Sequence, residues 1–234
     1  MKRLVTRNGG RTMVKCLYKD FCPLVNTDEC NNSCIRHKEI NYLLEKSGIP
    51  EKRQFIQNFV IPKEDEVTYN KLTKVMRNIE KYVDNGDSFV LYSNGTGNGK
   101  TSWAIKIMLS YFDKIWAGNG FRTRGYFVYV PDLLNRAKAN ISKPDEEYQE
   151  IMENIKDVDL LILDDIGTTS MSEFDISLLS SIIDQRCIKC KSTIYTTNCY
   201  EDKMESLVGT RLVDRIWHNS ITFNFKGSSK RGIL

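Results

Sequence analysis

The sequence predicts an α/β protein built on a doubly wound parallel sheet flanked by helices. Two observations carry that prediction. Short apolar runs alternate with helix-length segments from residue 88 onward. The stretch NGTGNGKT at 94–101 follows the first of those runs and opens a long apolar segment. Strand, glycine-rich loop and helix, in that order, is the setting in which such a loop cradles phosphate.

Composition sets the bounds. A chain of 234 residues, 41% hydrophobic and 27% charged, reads as soluble and globular, with room for one sizeable core and a small appendage. No apolar run approaches the ~20 residues of a membrane span, and the N-terminus has no apolar signal core, so a cytoplasmic protein without a membrane partner is expected. The formal net charge of +4 permits nucleic-acid contact without demanding it. Of the 7 cysteines, Cys16, Cys22, Cys30 and Cys34 crowd together, and Cys187, Cys190 and Cys199 come late.

Residues 1–15 carry Lys2, Arg3, Arg7, Arg11 and Lys15 and no acid, which reads as a disordered tail or a phosphate-contacting arm. Next comes the spacing C-x5-C-x7-C-x3-C-x2-H. Four thiolates can close a tetrahedral Zn²⁺ shell, with His37 as the alternative ligand. So short a segment has little core of its own, and a metal would supply the missing stability. Four protein ligands leave no open position, so such a module would dock rather than catalyse. Unmetallated buried cysteines are the plainer reading. Residues 40–46 suit a short helix ended near Gly48 and Pro50, and 46–62 a linker. The expected division is a module at 1–46 and a main domain at 47–234. Apolar residues at Val67, Leu72, Val75, Met76, Ile79 and Val83 predict one helix over 64–84, stopped at Asn85-Gly86.

The alternation then begins. Strands are expected at 88–93, 125–130, 159–163, 192–197 and 220–225, the third being continuously apolar as suits a strand covered on both faces. Between them lie an all-round apolar helix at 101–117, a helix from Pro131, a charged exposed stretch at 143–156, an amphipathic helix at 172–187, and two short helices split by Gly209.

Phosphoryl transfer needs positioning and charge neutralisation more than covalent help. Gly95, Gly97 and Gly99 let the backbone N–H groups of 94–102 aim inward as an anion nest, with Thr96, Asn98 and Ser102 between and beyond them. Lys100 would reach the β- and γ-phosphates of ATP, and the Thr101 hydroxyl would ligate Mg²⁺. Asn94 stands where the usual pattern has glycine, and Asn tolerates the left-handed backbone better than most residues. Asp164 and Asp165 end the third strand, at the carboxyl edge where ligands bind in such sheets. Asp164 would hold Mg²⁺ through water and Asp165 would polarise the attacking water. Asn198 ends the next strand and could orient that water or sense the γ-phosphate. Taken singly, each of these polar residues suits an ordinary turn.

The runs LLILDDIG at 160–167, TTN at 196–198, RLVDR at 211–215 and GSSKR at 227–231 resemble the DnaC/DnaI-type helicase loaders of the AAA+ class and the related IstB transposition helpers. The resemblance covers roughly residues 47–234, and the cysteine cluster looks like the zinc-bearing domain of DnaI-type loaders. A compact chain of this kind resembles bacteriophage-encoded loaders. The resemblance implies an AAA+ ATPase domain that self-associates through its ATP sites and loads a replicative DnaB-type helicase onto single-stranded DNA. It implies that Arg215 is an arginine finger acting on a neighbour's ATP, with Arg211 as alternative or partner, and that Arg231 is a sensor arginine acting in cis. It also implies that the full helical lid of larger relatives is missing. The other implied role is an ATP-dependent transposition helper. Arg122, Arg124, Arg136, Lys138 and Lys143 are the candidate DNA contacts. Tyr126, Phe127 and Tyr129 lie nearby as stacking platforms or, more simply, as core.

Overall fold

A computed structural model describes residues 22–25, 27–31, 33–54, 62–167 and 170–229, with the backbone of 7–8 and 11–12. Strands β1 (Ser88–Tyr92), β2 (Gly125–Tyr129), β3 (Leu160–Ile166), β4 (Ser192–Thr197) and β5 (Ser220–Asn224) form one 5-stranded sheet in the order β2-β3-β4-β1-β5, every pairing parallel. Side chains alternate across it. Phe89, Leu91, Leu160 and Ile162 face a core completed by α1 (Ile35–Lys46), α2 (Glu66–Arg77), α3 (Ile79–Asn85) and α4 (Lys100–Ile115). Val90, Leu161, Leu163 and Tyr195 face a second core under α5 (Val130–Ser142), α6 (Glu146–Asp157), α7 (Glu173–Ile188), α8 (Glu201–Val208) and α9 (Thr210–Val213). Covering on both faces is why β3 reads as an unbroken apolar run.

Several elements differ from expectation, among them the stretch expected to be charged and exposed at 143–156, where α6 buries Tyr148 and Ile155. The single helix expected over 64–84 is broken at Asn78, which leaves helical geometry at φ −119° and donates its side-chain amide to the Lys74 carbonyl at 3.1 Å. Strand β3 continues past 163 to Ile166, because its register against β4 shifts between Leu163 and Ile166. The shift is a bulge, and Asp165 within it sits at φ +68°. Helix α1 starts at Ile35, five residues earlier than expected, and buries Ile40, Leu43 and Leu44 in the core that α4 shares. Arg36 pairs with Asp113 on α4 and lies over the Trp116 ring at 5.6 Å, while Glu39 accepts a hydrogen bond from the Phe121 N–H at 3.3 Å.

The segment after α1 runs beside the sheet. The Ser47 carbonyl accepts from the Phe127 N–H at 2.7 Å on the edge strand β2. Residues 55–61 of the expected linker lie outside the described residues. Where the chain resumes, the buried carboxylate of Asp65 accepts from the backbone N–H groups of Lys226 (2.6 Å) and Gly227 (3.1 Å), and the Thr68 hydroxyl donates to the Asn224 carbonyl at 2.8 Å. The stretch leading into the sheet and the stretch leaving it are thereby tied together. Among the described residues no helix follows β5, and no helix is long and apolar enough to cross a membrane.

Candidate nucleotide site

The loop at 94–99 joins the end of β1 to the start of α4. Gly97 and Gly99 adopt φ +77° and +100°, which only glycine does without strain, and Gly99 launches the helix whose N-terminal N–H groups face the loop. Asn94 does not need the left-handed backbone: it is absent from the described non-glycine residues with positive φ, which are Phe121, Asp165 and Cys190. Asparagine there brings no left-handed backbone strain.

Lys100 is buried and folded into its own loop. Its ammonium donates to Ser93 Oγ at 2.6 Å, the Gly95 carbonyl at 2.8 Å and Asn98 Oδ1 at 2.9 Å. All three acceptors are oxygens gathered around the ammonium, an acceptor set that a phosphate oxygen could join or enter in place of one member.

Asp164 lies beside this loop, at the carboxyl edge of β3. It is only 3% exposed, and its carboxylate bonds to the Thr101 hydroxyl and accepts from Thr196 Oγ1 at 2.7 Å. Burial pushes the Asp164 carboxyl above the usual carboxylate range, and the Thr196 and Thr101 hydroxyls pull it part of the way back. A divalent cation at the Thr101–Asp164 contact would meet one hydroxyl and one under-neutralised carboxylate, a hard-oxygen donor pair that suits Mg²⁺.

Asp165 points its carboxylate elsewhere. Oδ1 accepts from Asn198 Nδ2 at 2.8 Å, the Asp165 N–H donates to Thr196 Oγ1 at 2.9 Å, and the Tyr129 hydroxyl stands 3.5 Å from Oδ2. The loop, Lys100, Thr101, Asp164, Asp165 and Asn198 are thus joined by a chain of contacts along one edge of the sheet. Thr196 links both aspartates; the sequence reading includes it in the TTN run but gives it no role of its own. Its signal was available: it sits two residues before Asn198 on a parallel neighbour of β3.

The model of the IstB-like ATP-binding protein family matches residues 15–232. The chain belongs to that family. Among curated relatives of this IstB-like protein, the replicative helicase loader DnaC of Escherichia coli K12 is 25% identical over 202 residues, spanning 84% of this chain and 77% of that one. The DnaC of Buchnera aphidicola from Schizaphis graminum is 29% identical over 196 residues, 81% of this chain and 74% of that one. The crystal structure of a DnaC helicase loader superposes with a TM-score of 0.62 at 24% identity, over 75% of this chain and 99% of that one. That of DnaI does so at 0.60 and 18%, over 78% and 94%. At those identities the structures attest the fold.

Other expected site residues stand apart. Arg215, in the π-helical turn Asp214–His218, pairs with Asp184 on α7, and Arg211 reaches the same carboxylate at 3.7 Å. Arg231 and Cys16 lie outside the described residues. Cys22, Cys30 and Cys34 are free thiols, and His37 Nε2 is 2.8 Å from the Asn41 amide. Among the described residues no group of three or more His, Cys, Asp and Glu could hold a metal, so the zinc shell expected of this cluster is not assembled there. Several candidate DNA contacts serve the fold: Arg124 pairs with Asp159, Arg136 with Glu147 at 2.9 Å, and Lys138 with Asp175 at 2.7 Å. Phe127 is core, whereas Tyr129 is 41% exposed.

Proposed function

We propose that this IstB-like protein is an ATP-dependent loader of a replicative DnaB-type helicase onto single-stranded DNA, hydrolysing ATP to ADP and phosphate. The observation that supports ATP hydrolysis is the convergence of the Lys100 loop, the Thr101–Asp164 contact and the Asp165–Asn198 pair on one sheet edge. The curated DnaC relatives supply the helicase-loading half of the reading.

Each residue has a task in that reading. Loop N–H groups and Lys100 hold the β- and γ-phosphates, Lys100 giving up loop oxygens for phosphate oxygens. Thr101 and Asp164 would hold Mg²⁺, and the ion would supply charge neutralisation at those phosphates. Asn198 orients Asp165, whose carboxylate takes the proton of the attacking water at Oδ2. Arg215 leaves Asp184 to act on the ATP of a second copy, and Arg231 acts on ATP in cis. The N-terminal cysteines, with Cys16, bind zinc and present the helicase-docking face; the support is their spacing alone. Zinc content of the purified chain, before and after Cys16→Ser, tests that part.

Mixing the chain with a replicative helicase, with and without ATP, and measuring mass and ATP turnover tests the whole reading. A helicase complex that forms and stimulates turnover is the expected result. No association with any replicative helicase, alongside binding to a transposase on duplex DNA, would instead select the transposition-helper role that the family description also accommodates.

A further inference from the structure

Cys187 and Cys190 have no part in the site described above, and both are exposed free thiols at the end of α7. The helix stops there in a defined way. The Lys191 N–H donates to the Arg186 carbonyl at 2.9 Å and the Cys190 N–H to the Cys187 carbonyl at 3.1 Å, the paired bonds of a Schellman cap. Cys190 takes the left-handed position of that cap, at φ +50°. Glycine is the usual residue at that position, because a Cβ is strained there. The helix stop therefore gives no reason for cysteine at 190, and its exposure gives no packing reason either.

The turn brings the two cysteines within bridging range. A bond from an N–H to the carbonyl three positions earlier keeps the two Cα atoms within about 7 Å, and a disulfide spans Cα separations of about 4.4–6.8 Å. The turn is also pinned from behind. A Cβ on Gly86, which ends α3, would stand 2.6 Å from the Cys190 carbonyl oxygen, so the two segments approach as closely as glycine allows. Burial pushes the Cys187 thiol up and Asp184 adds to the rise, while Arg215 and Arg186 pull it part of the way back. Exchange therefore starts at Cys190.

We propose that Cys187 and Cys190 are a thiol pair that closes into a disulfide by exchange with small-molecule disulfides of the glutathione class. The Cys190 thiolate attacks one sulfur of the oxidised compound and releases one small thiolate. The Cys187 thiolate then attacks the Cys190 sulfur and releases the second. Two protein thiols are oxidised, one small disulfide is reduced to two thiols, and the protons lost by the cysteines end on the released sulfurs. Such a pair is an exchangeable bridge rather than a structural staple. It closes one helical turn from Asp184, the carboxylate that pairs with Arg215.

The test incubates the reduced full chain with oxidised glutathione, alkylates the remaining thiols and digests after Arg186, Lys189 and Lys191. The expected product is the peptide of 187–189 joined to that of 190–191 with loss of two hydrogens, and reduced glutathione should reverse it. Cys187→Ser should carry glutathione at Cys190 and form no bridge there. Glutathione on both wild-type cysteines without a bridge, bridges only to other cysteines, or no reaction overturns the proposal. Cys190→Gly is measured under reducing conditions. An unchanged or higher unfolding midpoint is expected; a lower one overturns the reading that cysteine stands there for its chemistry.

Discussion

Arg186→Ala should cost this fold about 4 kcal/mol. Arg186 is on α7 and 1% exposed, and among the described residues it forms no ion pair. Nε donates to Thr193 Oγ1 at 2.9 Å, Nη1 to the Ile155 and Val158 carbonyls at 2.8 and 3.0 Å, and Nη2 to the Ser192 carbonyl at 2.6 Å. Ile155 is in the last turn of α6, where carbonyls lack intrahelical partners. Burial pushes the guanidinium down from 12.5 to about 10, a charge penalty of roughly 3 kcal/mol. Against it stand four charge-assisted bonds of about 1.5–3 kcal/mol each. The bonds outweigh the penalty, and a net loss of about 4 kcal/mol is a large share of the ~5–15 kcal/mol that holds a domain together. In urea, with a slope of about 2 kcal/mol per molar, the midpoint should fall by roughly 2 M. Arg186→Met is the discriminating variant, since it keeps volume and removes the donors. If Met unfolds at the wild-type midpoint, the hydrogen bonds contribute nothing net and the reasoning fails.

Other perturbations report on the site. Asp164→Asn removes a buried charge that the fold tolerates poorly. The folded carboxyl binds its proton more tightly than the unfolded one, so wild-type stability falls as pH rises from 3.8 through the raised folded value. The Asn variant should therefore exceed wild type in thermal midpoint at pH 7 and lose that advantage in acid, while Mg²⁺-dependent ATP turnover disappears; equal midpoints at pH 7 would contradict the burial argument. Arg215→Ala should abolish helicase-stimulated turnover, a loss of about 10³-fold or more for an arginine finger, with calorimetric ATP affinity nearly intact; lost affinity with normal turnover would remove it from that role. Gly227→Ala places a Cβ 2.7 Å from Asp65 Oδ2 and 2.9 Å from Pro62 Cγ, and overpacking of that kind costs about 1–3 kcal/mol, readable as a lower urea midpoint; a neutral result would mean that the Asp65 clasp yields freely.

Much of this was legible in the sequence because it follows from local rules. The continuous apolar run of β3 announces a strand with both faces covered, and glycine spacing before Lys100 announces the loop. The carboxyl-edge rule then places Asp164, Asp165 and Asn198 without coordinates. What escaped depends on tertiary partners. Asn78 lies in an otherwise helical period, and nothing local marks it as a break. The partner of Arg215 is on α7, 31 positions away in sequence from neither a motif nor a helical turn, so only packing reveals Asp184. The bulge that turns Asp165 toward Asn198 arises from a register shift between strands, which a single strand's pattern cannot carry. Tyr129 looked like its neighbour Phe127; its exposure was set by being the last residue of an edge strand.

Helix α4 has a mechanical consequence. Its first residues are Lys100 and Thr101; Asp113 and Trp116, at its far end, are where Arg36 of α1 takes hold. At 1.5 Å per residue its 16 residues make a stiff rod about 24 Å long. A tug on α1 is therefore delivered to the base of the phosphate loop with little lost to bending, as a bell rope works a clapper it never touches.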